Sequence, residues 1–170
     1  LALTLDPRLF NVSVCCLTWL GETADELVRA GVDVTCLSTS SGTRVDYLTS
    51  IKLLRLIKAK RIDLVHTHTT HGLVDAGICK LLRPRLKVIH TFHFGNYPHK
   101  ESRALWMERT FSRVVDRLVA VGEVQRRQLQ SVYRFRKDDL AVIHNGVKTA
   151  PDRSADSFRA EAKTVAPRRT

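Results

Sequence analysis

The sequence predicts an α/β fold of the Rossmann-like type, a parallel sheet with helices on both faces. Short apolar runs rich in β-branched residues alternate with amphipathic segments of helical period along most of the chain. The runs are almost continuously apolar, which is typical of strands that are buried on both faces of a parallel sheet. The repeated order of strand, helix and strand implies right-handed crossovers between parallel neighbours.

The first third of the chain supplies two predicted strands and two complete helices. The predicted elements are a helix tail Leu1–Leu5, a strand Asn11–Leu17, a helix Gly21–Ala30, a strand Val32–Leu37 and a helix Asp46–Arg61. Asp6 and Pro7 end the helix tail, and Gly31 is the residue expected just after a helix C-terminus. Ser38–Thr43 is predicted to be a loop because it is rich in Ser, Thr and Gly.

The same alternation continues to the end of the apolar part of the chain. The predicted elements are a strand Leu64–His68, a helical stretch that is entered through Thr69–Gly72 and ends near Leu82, a strand Lys87–His93, a helical stripe Ala104–Leu118, a strand Leu118–Val121, a helix Glu123–Tyr133 and a strand Leu140–His144. Beyond Lys148 the composition changes to Pro, Asp, Ser, Ala and Arg, with little apolar surface to bury. We therefore expect a Rossmann-like domain over residues 1–148 and a linker, or the start of another domain, over 149–170.

The net charge of the chain is strongly positive. The 28 lysines and arginines exceed the 17 acidic residues by 11, and they concentrate in Lys52–Arg61 and Lys100–Lys137. Three partners would explain this excess: an anionic membrane surface, a nucleic acid or an anionic substrate. Solvated helix faces are an equally simple explanation. Because no basic stripe interleaved with aromatic residues is present, we expect no nucleic-acid partner.

The spacing of the four cysteines predicts a cytoplasmic protein. Cys15 and Cys16 are adjacent in a predicted strand and point to opposite faces, while Cys36 and Cys79 stand alone in apolar runs. This spacing fits neither a disulfide framework nor a zinc site, so we expect free, reduced thiols. No apolar run approaches the roughly 18 residues of a membrane span.

The candidate chemistry lies where two predicted strands become polar. His68 and His93 stand at the ends of consecutive strands, and in a parallel sheet that edge is where ligands bind. A neutral imidazole there can donate a hydrogen bond to a hydroxyl or a phosphate oxygen. His66 and His90 are instead expected to be buried and hydrogen-bonded. A metal site is not expected because no carboxylate partners are evident.

Two turns have the weaker features of an anion site. No Gly-x-Gly-x-x-Gly motif is present, and although Gly72 and Gly77 have P-loop spacing, Ile78 and Cys79 replace the Lys and Ser/Thr of that motif. The turns Thr69-Thr70 and Gly122-Glu123 each lead from a strand into a helix, and the free amides at a helix N-terminus favour anions.

Four segments make the chain resemble the N-terminal domain of a GT-B glycosyltransferase of the retaining family 4. Leu3–Leu37 resembles a passage with a Leu-Asp-Pro turn, a strand and a helix that closes with Ala-Gly-Val. Ile62–His68 matches an Asp-Ile-Val-His-x-His strand, and Val88–His93 matches Val-x-Thr-x-His. Val142–Val147 matches the Val-Ile-x-Asn-Gly-Val signature. The order and spacing of these motifs make the resemblance specific.

The resemblance implies transfer of a sugar from a nucleotide-sugar to an acceptor hydroxyl with retention, without a metal or further cofactor. His93 would hydrogen-bond the donor sugar as the glycosidic bond breaks. The other implied contacts are His68, Thr69, Gly95 and Asn96 on the acceptor side, Asn145 and Gly146 on the donor side near the hinge, and the turn formed by Gly122 and Glu123. The implied acceptor is a sugar, a lipid-linked sugar or a polysaccharide. An enzyme that glycosylates such acceptors at the inner membrane face would be attracted to the anionic lipids there by its positive charge.

Three departures from the family pattern shape the remaining expectations. The family's first strand and glycine-rich loop would lie before Leu1, and Gly122 stands where the family usually has a serine. The second Rossmann-like domain, with its paired-glutamate motif, is not in this sequence. We therefore expect the chain to be an acceptor-binding half that is inactive alone. The alternative is a non-catalytic Rossmann-like ligand-binding module.

Overall fold

The fold is an alternation of strands and helices, as the sequence predicts. The computed structural model describes residues 2–18, 20–38, 48–93 and 102–146. The strands and helices in this part of the chain are β1 Ser13–Cys16, α1 Glu22–Arg29, β2 Asp33–Cys36, α2 Thr49–Ala59, β3 Leu64–Thr67, α3 Thr70–Leu82, β4 Lys87–Phe92, α4 Ser102–Phe111, β5 Arg117–Ala120, α5 Glu123–Tyr133 and β6 Leu140–Val142. The predicted α/β class is confirmed, and α5 has the predicted bounds. The predicted linker 149–170 and all of the predicted loop except Ser38 lie outside the described residues.

All strand pairs of the described residues are parallel, but they form two sheets where the sequence predicts one. β1 pairs with β2, and the larger sheet has the order β3-β4-β5-β6. In the larger sheet Thr67 aligns with His90, and Phe92 aligns with Ala120. The carboxyl ends of β3 and β4 therefore lie side by side, which places the residues that follow them at one edge.

Helices α2 to α5 pack on one face of the larger sheet. Because β3, β4, β5 and β6 follow one another in space as in sequence, right-handed crossovers put α3, α4 and α5 on the same side. One buried cluster joins α2 and α3 to β4 through Ile57, Cys79 and Val88. A second joins α5 to β4 and β6 through Tyr133 and Phe92, among others. Side chains alternate along a strand, so His66, His68, Thr91 and His93 belong to the opposite face.

Helices α3 and α4 approach each other closely at a glycine. A Cβ atom at Gly77 would lie 2.6 Å from Cδ1 of Phe111, which is closer than carbon atoms pack. Glycine therefore allows the Phe111 ring to lie against the backbone of α3. Gly31 has φ +82°, the left-handed conformation that favours glycine, and it follows α1 as predicted.

Two predicted helical segments are wrong. Residues 2–10 contain turns instead of a helix tail, because Asp6 takes over the local hydrogen bonds: its carboxylate accepts from the Arg8 backbone N–H at 2.9 Å. The stripe predicted to run to Leu118 ends as a helix at Phe111. Arg113 and Val114 continue with the tighter i to i−3 hydrogen bonds of a turn, which leads into β5.

The cysteines are free thiols, as predicted. Cys79 is fully buried in the interior of α3, and Cys15 packs against the same cluster. Burial raises the pKa of both thiols to about 11. Because the thiolate is the reactive form, neither group is activated for nucleophilic chemistry.

Candidate functional site

The sheet edge at the carboxyl ends of β3 and β4 brings His68 and His93 together. His68 follows Thr67, the last residue of β3, and His93 follows Phe92, the last residue of β4. His68 Nδ1 lies 2.8 Å from His93 Nε2, and the ring centroids are 5.0 Å apart. Both residues are exposed. The proximity that the strand ends predict is therefore present as a direct hydrogen bond.

A third imidazole extends this pair along the strand. The rings of His66 and His68 have centroids 4.2 Å apart, and His66 Nε2 lies 2.8 Å from Thr91 Oγ1. His66 is half-buried, so it is less enclosed than predicted, and Thr91 is buried. Sequence reasoning does not single out Thr91, since its role depends on the pairing of β3 with β4. We call His66, His68, Thr91 and His93 the imidazole row.

His90 lies on the other face and serves the core, as predicted. Only 2% of its surface is exposed, its Nδ1 lies 2.8 Å from Thr67 Oγ1, and its ring meets Phe92 edge to face. Burial and the nearby imidazoles lower the pKa of His90 to about 3. The ring is therefore neutral at pH 7 and acts as a hydrogen-bonded core residue.

Two imidazoles of the row, those of His66 and His68, are also kept neutral by a lowered pKa. Although His68 is exposed as a whole residue, the rings of His66 and His93 lie against its imidazole, and the resulting desolvation and charge repulsion lower the pKa of His68 to about 4. Burial and His93 likewise lower the pKa of His66. Neutral imidazole offers one N–H donor and one nitrogen acceptor, which suits recognition of hydroxyl groups.

The N-terminus of α3 begins directly beside His68. Thr69 is the N-cap residue, and its hydroxyl accepts a hydrogen bond from the Gly72 N–H at 3.1 Å. A Cβ atom at Gly72 would lie 3.2 Å from Thr69 Oγ1, so the close fit of this turn favours glycine. Thr69 is exposed. An exposed helix start of this kind favours an anionic or hydroxyl ligand through its remaining free amides.

A buried carboxylate supports this helix start from beneath. Glu108 of α4 is 1% exposed, and it accepts hydrogen bonds from the hydroxyls of Thr70 and Tyr133. It thereby connects the first residue of α3 with the last residue of α5. In the sequence Glu108 resembles any solvated helix residue, and only the packing of three helices identifies its position.

The remaining predicted site residues lie after β5 and β6. Gly122 is the N-cap of α5 in an extended conformation and makes no side-chain cap, while Gln125 accepts a hydrogen bond from the Val121 N–H at 2.8 Å. Glu123 forms an ion pair with Arg126 at 2.7 Å. Asn145 and Gly146 are exposed after β6, and Gly95 and Asn96 lie outside the described residues. Substrate contacts by these residues stay predictions.

The described part of the chain contains neither a metal site nor a membrane-spanning helix. In the described ranges no group of three or more His, Cys, Asp and Glu side chains has an arrangement that could hold a metal ion. None of the helices described between residues 2 and 146 combines the length and the apolar character that crossing a bilayer requires.

Solved structures similar to this chain are GT-B glycosyltransferases. Anabaena Alr3699/HepE in complex with UDP superimposes with a TM-score of 0.63 at 18% identity, over 87% of this chain and 41% of that protein. A glycosyltransferase from Rickettsia africae ESF-5 gives a TM-score of 0.65 at 19% identity, over 95% and 44%. Acinetobacter baumannii MurG gives a TM-score of 0.54 at 14% identity, over 85% of this chain and 38% of that protein.

These likenesses establish the fold, and the family follows from the sequence match. The chain spans less than half the length of the three structures. No curated protein matches it. A family model described as Glycosyltransferase Family 4 matches residues 1–151, which is most of the chain. With a matching fold and two histidines paired at the predicted edge, this chain belongs to glycosyltransferase family 4.

Proposed function

We propose that this chain is the acceptor-binding half of a retaining glycosyltransferase. The reaction moves a sugar from a nucleotide-sugar to a sugar, lipid-linked or polysaccharide acceptor hydroxyl. The observation that carries the proposal is the His68–His93 pair at the edge where ligands of parallel sheets bind. HepE, which has the same fold, was solved with UDP and with UDP and glucose.

In this proposal His93 acts on the donor sugar and its neighbours receive the acceptor. His93 hydrogen-bonds a hydroxyl of the donor sugar while the bond from the anomeric carbon to the diphosphate oxygen breaks. The acceptor oxygen then bonds to that carbon on the same face, its proton passes to the departing diphosphate oxygen, and the nucleoside diphosphate leaves. The proposed acceptor contacts are His68, Thr69, Gly95 and Asn96. The proposed donor contacts are Gly122, Glu123, Asn145 and Gly146.

A decisive experiment replaces His93 in the full-length protein that contains this chain. We expect His93→Ala to lower kcat about 100-fold, because a hydrogen bond that strengthens in the transition state is lost. The fold should remain intact because His93 is exposed at the end of β4. The measurement is transfer from a panel of nucleotide-sugars, with circular dichroism to confirm folding.

His71→Ala is the matched control for this substitution. His71 is an exposed imidazole in the first turn of α3, and it forms no hydrogen bond or ring contact within the described part of the chain. We expect near wild-type transfer from this variant. Equal activity of wild type and His93→Ala would refute the role of His93. Absence of transfer by the wild-type full-length protein would make the non-catalytic binding module the better explanation.

We also propose that this chain alone does not catalyse transfer and that the reaction needs no metal. Support comes from the comparisons, in which the chain aligns with 38% to 44% of whole glycosyltransferases. Turnover of a nucleotide-sugar by the 170-residue chain would refute the first statement. Loss of transfer by the full-length protein in EDTA, restored by a divalent cation, would refute the second.

The positive charge is the basis of a proposed location, which is the cytoplasm with peripheral contact at the inner membrane face. Arg55 and Lys58 are exposed on α2, where Ile51 is also 47% exposed. Basic side chains near an anionic surface contribute about 1 kcal/mol each. Neutralising Lys52, Arg55 and Lys58 should therefore weaken binding to anionic vesicles. Unchanged binding would make the charge a solubility feature only.

A further inference from the structure

The bond between His68 and His93 has a direction that tautomer stability decides. The two nitrogens that face each other are His68 Nδ1 and His93 Nε2, at 2.8 Å. A neutral imidazole carries one proton, so one of these nitrogens donates and the other accepts. Donation from His93 Nε2 leaves the His68 proton on Nε2, so both rings keep the Nε2–H form that free histidine prefers. The reverse direction requires the less stable Nδ1–H form in both rings.

We propose that His68 is the positioning residue of His93: its Nδ1 accepts the Nε2–H of His93 and so turns the Nδ1 of His93 toward the substrate. His68 then acts through His93 instead of contacting the acceptor as its main role. The catalytic consequence rests on the proposed function, whereas the hydrogen bond itself does not.

The imidazole row braces His68 in this position. The His68 ring lies against His66, with centroids 4.2 Å apart and planes at 42°, and His66 is held by the buried Thr91 at 2.8 Å. In the described ranges neither His68 nor His93 hydrogen-bonds a carboxylate. Enzymes commonly orient a reactive histidine with an aspartate, and here a neutral imidazole takes that place.

This arrangement keeps His93 oriented in both of its protonation states. With neutral His93, Nδ1 has a free lone pair that can accept from a sugar hydroxyl. If His93 gains a proton at Nδ1, the Nε2–H bond to His68 persists and becomes stronger because its donor is charged. Only protonation of His68 Nδ1 breaks the bond. The low pKa of His68, about 4, keeps that acceptor free at neutral pH.

Three variants of His68 distinguish between three roles of its side chain: a hydrogen-bond acceptor at Nδ1, a ring that only fills space, and a direct contact with the substrate. In His68→Asn the amide oxygen occupies the place of Nδ1. In His68→Gln the amide reaches the place of Nε2 instead. His68→Phe keeps the ring without any acceptor. We therefore expect Asn to rescue the bond, and Gln and Phe to lose it.

The first readout is NMR of this chain with ¹⁵N-labelled histidines, without any substrate. We expect a downfield Hε2 proton on His93, slow to exchange, with ¹⁵N coupling across the bond to His68 Nδ1. The signal should persist in His68→Asn and vanish in His68→Phe and His68→Gln. A proton found on His68 Nδ1, or a His93 signal unchanged in His68→Phe, would overturn the proposal.

The second readout is transfer by the full-length protein. We expect His68→Phe to lower kcat about 10-fold, as for loss of one orienting hydrogen bond, with KM for the acceptor unchanged and His68→Asn close to wild type. A rise in acceptor KM with unchanged kcat would show a direct contact and overturn the positioning role. If the NMR signals behave as expected while the full-length protein transfers no sugar, the proposed function fails and the hydrogen bond stands.

Discussion

Asp116 carries a network of charges whose contribution to stability can be worked out from the structure. Its carboxylate lies 2.7 Å from Lys80 Nζ at the end of α3 and 3.2 Å from Lys87 Nζ at the start of β4. It also accepts a hydrogen bond from the Val88 N–H at 2.8 Å. Burial raises the pKa of Asp116, but the two lysines and the amide outweigh burial and lower it from 3.8 to about 2.

The size of the effect follows from this difference in pKa. Each unit of difference between the folded and the unfolded pKa corresponds to about 1.36 kcal/mol. The lowered pKa of Asp116 therefore adds about 2.4 kcal/mol to the free energy of unfolding at neutral pH. The Asp116 side chain remains 23% exposed, so water screens part of the attraction. We therefore expect Asp116→Asn to lower the free energy of unfolding at neutral pH by about 2 kcal/mol.

The pH dependence gives the sign of the same prediction. The folded pKa of Asp116 is the lower one, so its stabilisation is complete above about pH 4 and is lost as the pH falls through about 2. His90, whose folded pKa is also lowered, weakens both proteins alike below about pH 6.5. The informative quantity is therefore the difference in free energy of unfolding between wild type and Asp116→Asn. Urea unfolding at several pH values, followed by circular dichroism, measures it.

Asp63→Asn is the matched control. Asp63 is exposed beside β3, and its carboxylate forms no hydrogen bond or ion pair with other described residues. This variant should be within about 0.5 kcal/mol of wild type. Equal stability of Asp116→Asn and wild type at neutral pH would refute the reasoning. So would a difference that persists undiminished at about pH 2.

Three further substitutions test the interior and the turn before α5. Tyr133→Phe removes a hydroxyl that donates to the buried Glu108, and urea unfolding should show a loss of about 1–3 kcal/mol; unchanged stability would contradict the importance of this bond. Gly77→Ala should lower the Tm and reduce the free energy of unfolding by about 1–3 kcal/mol, because the added Cβ meets Phe111 at 2.6 Å. A raised Tm would mean that the higher helix propensity of alanine outweighs this clash. Gly122→Ser should keep the wild-type Tm, since a Cβ there meets nothing within 4 Å, and should tighten nucleotide-sugar binding by the full-length protein. The reason is that the substitution restores the serine that the family usually has at this position and so adds a hydroxyl at the start of α5. Weaker binding in titration calorimetry would contradict a contact between this hydroxyl and the nucleotide-sugar.

The parts of the site that could be predicted are those encoded locally. His68 and His93 are predictable because each ends an apolar run, and parallel pairing brings such ends to one edge. The N-cap role of Thr69 follows equally from its place between a strand and a helix. Neither conclusion required knowledge of distant contacts.

The parts that could not be predicted depend on contacts between distant segments. His66 finds Thr91 only because β3 and β4 pair in one register, and Glu108 is buried only because α3, α4 and α5 converge on it. The end of α4 at Phe111 is not predictable for a related reason. Val114 and Val115 continue the apolar spacing of a helix, but Val115 reaches the core from a turn.

The placement of helices α2 to α5 on one face and the imidazole row on the other has a consequence for engineering. A helix layer about 10 Å thick, together with the sheet itself, separates the outer basic surface of α2 from the reactive rings. Charge reversal, fluorescent labels or surface tethers placed at Arg55 or Lys58 would therefore leave the chemistry of the edge undisturbed. The protein can be immobilised through its helices with its histidines still facing solution.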